Sequence, residues 1–385
     1  MITKIKISNF KSLGDDVSID FGRCNFLVGR NGSGKSNIVD AIRFVADVMK
    51  LGLEGAITKR HGIKSVRRWS SGRPLVLSIH LSIETNDFKA NYGFSVTGHK
   101  TYEYVVKSEI ATIEFYKNQE KHYFEVSEQS WKKNSTDLIP SVSPLSLVLP
   151  ILSGDKRFKP LADYLKNIAV YNIYPDVLRV PQNYDPQKPM DEHGKNWFSI
   201  LKDQSKDGWI DQLSEALNKL TGEIDDVTIK QVTGYLVANF RHGTVGESNK
   251  ARIFDATQES DGTLRTAGII SALLQTPRLN VIGIEEPELT VHPGAVKLLY
   301  DFIRGASKHS QIIVTTHSPE LLDCLDDEDE LGNVRVVEKK NNVTVVKPID
   351  KEQLDIVKRG LRTLGEVHRT EGLKSAQVKL EFDSE

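Results

Sequence analysis

Gly29-Arg30-Asn31-Gly32-Ser33-Gly34-Lys35-Ser36 has the spacing G-x-x-x-x-G-K-S, which suits the gripping of a polyphosphate. Glycines let the backbone curl until its N–H groups face the β- and γ-phosphates, and a helix N-terminus behind them adds the positive end of a dipole. The phosphate-gripping set is therefore Asn31, Gly32, Ser33, Gly34, Lys35, Ser36 and Asn37. Lys35 is placed to reach the β/γ oxygens, and the Ser36 hydroxyl to ligate Mg²⁺. Far downstream, Glu285 and Glu286 close an apolar run, Asn280-Val281-Ile282-Gly283-Ile284. Neighbours on a strand point to opposite faces, so the two acids divide the work. Glu285 fits the Walker B position that holds Mg²⁺, directly or through water, with a Glu where an Asp is usual. Glu286 fits the base that orients or polarises an attacking water. His317, at the end of Gln311-Ile312-Ile313-Val314-Thr315-Thr316, fits a sensor of the γ-phosphate. Ser260 and Gly262 precede a helical run and make a second anion site at a helix N-terminus. The same Ser-Asp-Gly also reads as an ordinary cap and turn.

These side chains need rigid supports. Asn25-Phe26-Leu27-Val28 reads as a buried strand, and residues 37–45 have helical periodicity. Strand, glycine loop and helix is the order the phosphate motif requires. The runs before Glu285 and His317 read as two further buried strands, and residues 267–274 as the helix behind Ser260.

P-loop, Ser-Asp-Gly, Glu-Glu and His, in that order, resemble the ABC-type ATPase heads of the SMC/RecF-like and OLD-like group. The opening Ile2-Thr3-Lys4-Ile5-Lys6-Ile7-Ser8-Asn9-Phe10-Lys11-Ser12 is similar to that group's first strand, I-x-N-F-[KR]-S. Lys35-Ser36-Asn37 with Asp40-Ala41 resembles the start of its first helix, and Glu286-Pro287-Glu288 with Val291-His292-Pro293 its D-loop segment. Taken together, these motifs resemble the stand-alone ATPases of the AAA-21 type, often found beside nucleases in bacterial genomes.

The resemblance implies an α/β fold, a P-loop NTPase of the ABC-ATPase head type with an inserted antiparallel β lobe and a helical lobe. It implies ATP and Mg²⁺ as cofactors; the preference for adenine comes from the resemblance alone. It also implies that Ser260 and Gly262 of one subunit close on the ATP of another, so that the active unit is at least an ATP-dependent homodimer. A separate nuclease or other effector, and DNA or RNA, are the expected partners, in anti-phage defence or DNA repair. The expected division is residues 1–50 and 256–325 as the two parts of the ATPase core, 51–255 as inserted lobes, and 326–385 as a hairpin and tail. Two other readings are an ATP-driving transporter subunit and a slow, nucleotide-gated scaffold. Ser-Asp-Gly-Thr in place of Ser-Gly-Gly-Gln, the Asn9-Phe10-Lys11 opening and the lack of a recognisable Q-loop count against the transporter.

With 385 residues, 39% of them hydrophobic, the chain can bury a substantial core. A net charge of -1 exerts no global pull on DNA or membranes. Only two cysteines, Cys24 and Cys324, argue against a disulfide framework or a cysteine-rich zinc site. The longest apolar stretch, near 147–152, is too short to span a bilayer, and the alternating start leaves no room for a signal peptide. A cytoplasmic protein without membrane contact is expected. In the middle, 75–84, 89–96, 102–116 and 123–126 read as strands, with a turn at Thr97-Gly98-His99. Residues 161–168 and 209–220 read as helices, 179–196 as a loop and 227–240 as a strand. No heptads call for coiled-coil arms. Lys59, Arg60, His61, Lys64, Arg67, Arg68, Trp69 and Arg73 form a basic cluster that suits nucleic acid, or equally a solvated loop. Residues 334–347 read as a hairpin turning at Asn341-Asn342, after an acidic run, 323–330, read as surface. The stretch after His317 is too short for the TOPRIM nuclease domain of OLD-type proteins, so an effector is expected on another chain.

Overall fold

Residues 1–73, 75–205, 208–243 and 252–376 are described by the computed structural model, so the end of the expected C-terminal tail, 377–385, lies outside the described residues. The chain forms two compact units, one of Met1–Ile168 with Asp326–Glu385, the other of Ala169–Leu325.

In the first unit an antiparallel sheet runs in the order Val17–Asp20, Ile2–Ser8, Leu77–Glu84, Phe88–Lys100, Glu103–Phe115, Lys121–Ser127, Ser130–Asn134. Period-2 alternation builds it: Leu77, Ile79, Leu81 and Ile83 are buried while the residues between them face outward. Its inner face meets the P-loop helix, Lys35–Thr58, through Phe94, Phe44 and Phe10, whose rings lie 6.1 and 5.8 Å apart. The turn expected at Thr97-Gly98-His99 is instead part of the strand Phe88–Lys100, and the chain reverses at Thr101-Tyr102. Gly98 stays in the ladder opposite Tyr104, beside a register shift, and a Cβ there would fall 2.4 Å from the Glu103 carbonyl. It serves close backbone approach, the other use of a strand glycine.

Glu109 is a buried carboxylate on the inner face of this sheet. It accepts hydrogen bonds from the Val148 and Leu149 N–H groups and the Tyr92 hydroxyl. Burial nevertheless dominates and pushes its pKa up to about 7.

The P-loop strand, Cys24–Val28, pairs in parallel with Val334–Lys340, placing Val28 opposite Val336. Val334–Lys340 turns back into Val343–Pro348 through Asn341 and Asn342, both at positive φ (49° and 61°), as the expected hairpin requires.

In the second unit Val281–Glu285 and Gln311–Thr316 are parallel neighbours, with Ile168–Tyr171 on the other side of Val281–Glu285. Both are buried nearly throughout, which is why they read as apolar runs rather than alternating ones. Helices Asp261–Leu274 and Pro293–Ser307 belong to the same unit. A small antiparallel sheet replaces the single strand expected over 227–240: Ile224–Val232 and Tyr235–His242 form a hairpin through Thr233-Gly234, both at positive φ. Trp209–Thr221 is helical, as the periodicity predicts. Among the described residues no helix is long and apolar enough to cross a membrane.

Candidate functional site

The P-loop lies in the first unit. Gly34 ends it at φ 109° and the helix starts at Lys35, with the Asn37 and Ile38 N–H groups returning to the Gly34 carbonyl at 3.1 and 3.3 Å. Gly29 lets the neighbouring strand approach, since a Cβ there would sit 2.2 Å from the Val337 carbonyl. The Lys35 ammonium is almost buried and folds back on its own loop, donating to the Gly29 carbonyl at 2.7 Å and to that of Arg30 at 3.3 Å. Ser33 Oγ is buried with no hydrogen-bond partner among the described residues. Asn31, Gly32 and Ser36 are exposed. The Asn37 amide is committed sideways, to Ser12 Oγ at 2.6 Å. A loop with a buried cation on its own carbonyls and an orphaned hydroxyl fits a polyphosphate that would take over those contacts.

The helix behind the loop is braced by ions. Asp40 meets Lys11 at 2.6 Å and Arg60 at 2.8 Å, and Arg60 also reaches Asp47 at 2.8 Å. Burial alone would raise the Asp40 pKa, but the hydrogen bond and charge of Arg60, with Lys11, hold it at about 2. Arg60 also lies over the Phe44 ring, 5.0 Å from its centre. The basic cluster read from the sequence therefore divides. Arg60 points inward and Lys59 pairs with Asp47, while His61, Lys64 and Arg73 are exposed, as is Trp69 at 80%.

The remaining candidates lie in the second unit. Glu285 ends its strand, and Glu286 follows at φ 45°, a left-handed conformation that costs a non-glycine residue about 1–2 kcal/mol. The turn is held on both sides. Glu286 N–H donates to the Thr315 carbonyl at 2.9 Å, and the buried Arg265 guanidinium donates to the carbonyls of Glu285 and Glu286 at 3.2 and 3.1 Å. Its other terminal nitrogen donates to the Ile173 carbonyl. Burial lowers the Arg265 pKa, as it must for a cation held mainly by carbonyl dipoles. The Glu286 carboxylate lies 3.4 Å from His317 Nδ1, so the expected base and the expected sensor are neighbours. Glu288, buried and raised in pKa by that burial, accepts from the Thr316 hydroxyl at 2.5 Å and the His317 N–H at 3.4 Å.

Ser260 caps the helix Asp261–Leu274, accepting from the Thr263 N–H at 3.1 Å. Gly262 runs under Thr290, whose carbonyl would lie 2.6 Å from a Cβ. Ser260, Gly262, Thr266, Thr290 and His292 line a cavity of about 200 Å³. Arg265 belongs to this same helix, and sequence reasoning misses it: its one signal is an arginine within a buried helix.

Mg²⁺ in nucleotide sites takes one or two protein ligands with phosphates and waters, and the Ser36 hydroxyl and the Glu285 carboxylate are each, taken singly, of a suitable type. Among the described residues no three His, Cys, Asp or Glu side chains converge into a metal cage.

The family described as "AAA domain, putative AbiEii toxin, Type IV TA system" matches residues 24–323. The Old nuclease of Escherichia phage P2 is 24% identical over 386 residues, covering 92% of this chain and 62% of that protein. The OLD nuclease of Thermus scotoductus is 23% identical over 95% of this chain and 68% of that one. The chain thus spans less than two thirds of the phage protein. The Smc head domain of Pyrococcus furiosus, solved with the C-terminal domain of ScpA, superposes with a TM-score of 0.52 at 16% identity, over 94% of this chain and 99% of that one, a likeness of fold. Motif order, local geometry and a family match over most of its length make this chain a member of that AAA-domain family, an SMC/OLD-like ABC-type ATPase of α/β fold.

Proposed function

We propose that this chain binds and hydrolyses Mg-ATP, dimerises through composite ATP sites, and controls a separate nuclease or other nucleic-acid-processing partner, as a cytoplasmic component of anti-phage defence or DNA repair. The observation that carries the ATPase reading is the Glu286–His317 pair at 3.4 Å, beyond a buried strand in a chain that also holds a P-loop. Lys35 would leave the Gly29 and Arg30 carbonyls for the β/γ-phosphate oxygens. Ser36 and Glu285 would hold Mg²⁺, which neutralises phosphate charge as the terminal bond breaks. Glu286 would orient the attacking water, and His317 would report the γ-phosphate. Ser260 and Gly262 of a second copy would complete the charge stabilisation, with donors of a kind worth roughly 3–4 kcal/mol each in a transition state. Support for a nucleic-acid partner comes from the exposure of Trp69, Lys64 and Arg73 on one stretch of chain, side chains of the kinds that stack on bases and contact phosphates.

Light scattering on the Glu286→Gln protein tests the dimer. Mg-ATP is expected to convert monomer to dimer, and Lys35→Ala to abolish the shift. A Gln variant that stays monomeric with ATP bound would remove the roles of Ser260 and Gly262, and one that hydrolyses ATP at the normal rate would remove that of Glu286. The trapped dimer then serves for DNA and RNA titration: equal affinity after Trp69→Ala would eliminate the stacking contact.

A further inference from the structure

Thr344, on the strand Val343–Pro348 of the C-terminal hairpin, is fully buried against the P-loop. Its Oγ1 lies 2.8 Å from the Ser33 carbonyl and 2.7 Å from Ser12 Oγ. A hydroxyl has one proton and a carbonyl has none, so the Thr344 proton goes to Ser33 O. Ser12 must then donate to Thr344. That leaves the Ser12 oxygen to accept from the Asn37 amide, 2.6 Å away. Proton counting thus fixes one direction through four residues, from Asn37 to Ser12 to Thr344 to the Ser33 carbonyl. The backbone ties the same two residues in the opposite sense, since Thr344 N–H donates to the Ser12 carbonyl at 3.0 Å.

The relay closes around Gly34. A Cβ on that residue would fall 2.1 Å from Thr344 Oγ1 and 2.8 Å from Ser12 Oγ. The Ser33 carbonyl and the Gly34 N–H belong to one peptide plane, and in a trans peptide they point in opposite directions. Holding the carbonyl from behind therefore aims the amide forward, to the side where P-loop N–H groups meet phosphate.

We propose that Thr344 is a positioning residue of the nucleotide site, fixing the Ser33–Gly34 peptide plane so that the Gly34 N–H faces the bound phosphates. This rests on the P-loop binding a nucleotide, as proposed above. Thr344 itself touches no substrate.

The test compares Thr344→Val, which keeps the branched shape without the hydroxyl, with Thr344→Ser, which restores it. Mg-ATP affinity, KM and kcat are measured beside wild type and Lys35→Ala. Loss of one aimed donor is expected to raise Kd and KM about tenfold in the Val protein with kcat within about twofold, and Ser to recover most of the affinity. A purely structural role would lower the folded, active fraction and leave KM alone. Should the Val protein fail to fold, Ser12→Ala cuts the relay one hydroxyl earlier and is expected to raise KM about threefold. Wild-type KM in the Val protein, or in Ser12→Ala where the Val protein does not fold, or no recovery by Ser, overturns the proposal. If wild type binds Mg-ATP no better than Lys35→Ala, the nucleotide reading itself has failed and this assignment falls with it.

Discussion

Arg265 joins the helix that Ser260 caps to the carbonyls of Glu285 and Glu286. Glu286 occupies a left-handed conformation, and three carbonyls, those of Glu285, Glu286 and Ile173, would lose a buried partner if the guanidinium were removed. Leaving such groups unpaired costs about 1–3 kcal/mol. Arg265→Met is therefore expected to lower kcat about tenfold or more while the ATP KM stays within about twofold, since no P-loop contact changes. Steady-state kinetics checks this, and a normal kcat would show that Glu286 keeps its position unaided. Sequence alone does not expose this role because its hydrogen bonds cross 20 and 21 residues to main-chain acceptors, which leave no mark on residue type. Arg60 misleads for a different reason. Its neighbours Lys59, His61 and Lys64 make it look like part of a surface charge, whereas its partners are Asp40 and Asp47, seven positions apart on one helix.

The seven-stranded sheet carries its own titration. Glu109 has a pKa near 7 in the folded protein against an ordinary value near 4.5, so the folded state binds the extra proton. The stabilising contribution of this raised group is complete below its unfolded value and is lost as pH rises through about 7. Its full size is on the order of 3 kcal/mol. Glu109→Gln keeps the shape of the protonated acid and should flatten that segment of the profile. Urea melts at pH 5 and pH 8 are expected to differ less for the Gln protein than for wild type, and equal pH dependence in both would acquit Glu109. At this scale the sequence is legible where a local rule suffices: the P-loop strand and helix, the Asn341-Asn342 turn, the helix Trp209–Thr221. It misleads at Gly98 and across 227–240, where the choice between turn and ladder is made by a partner strand.

Across the whole molecule, family membership and fold are readable because the phosphate loop, the acidic pair and the histidine each come after a buried strand in a fixed order. The connection from Thr344 back to Ser33 spans 311 residues, and no local pattern announces it. That span is also a span of time. A ribosome adding about 5–20 residues per second that has finished the P-loop reaches its clip only after roughly 15–60 s more. Through that interval the loop exists without the hydroxyl that aims it, so a nascent chain is expected to grip ATP poorly until the hairpin emerges. Released chains ending at residue 342, which keep the strand beside the P-loop but not Thr344, and at residue 376 should differ in retention on ATP-agarose. Equal retention would mean that the loop needs no such clock.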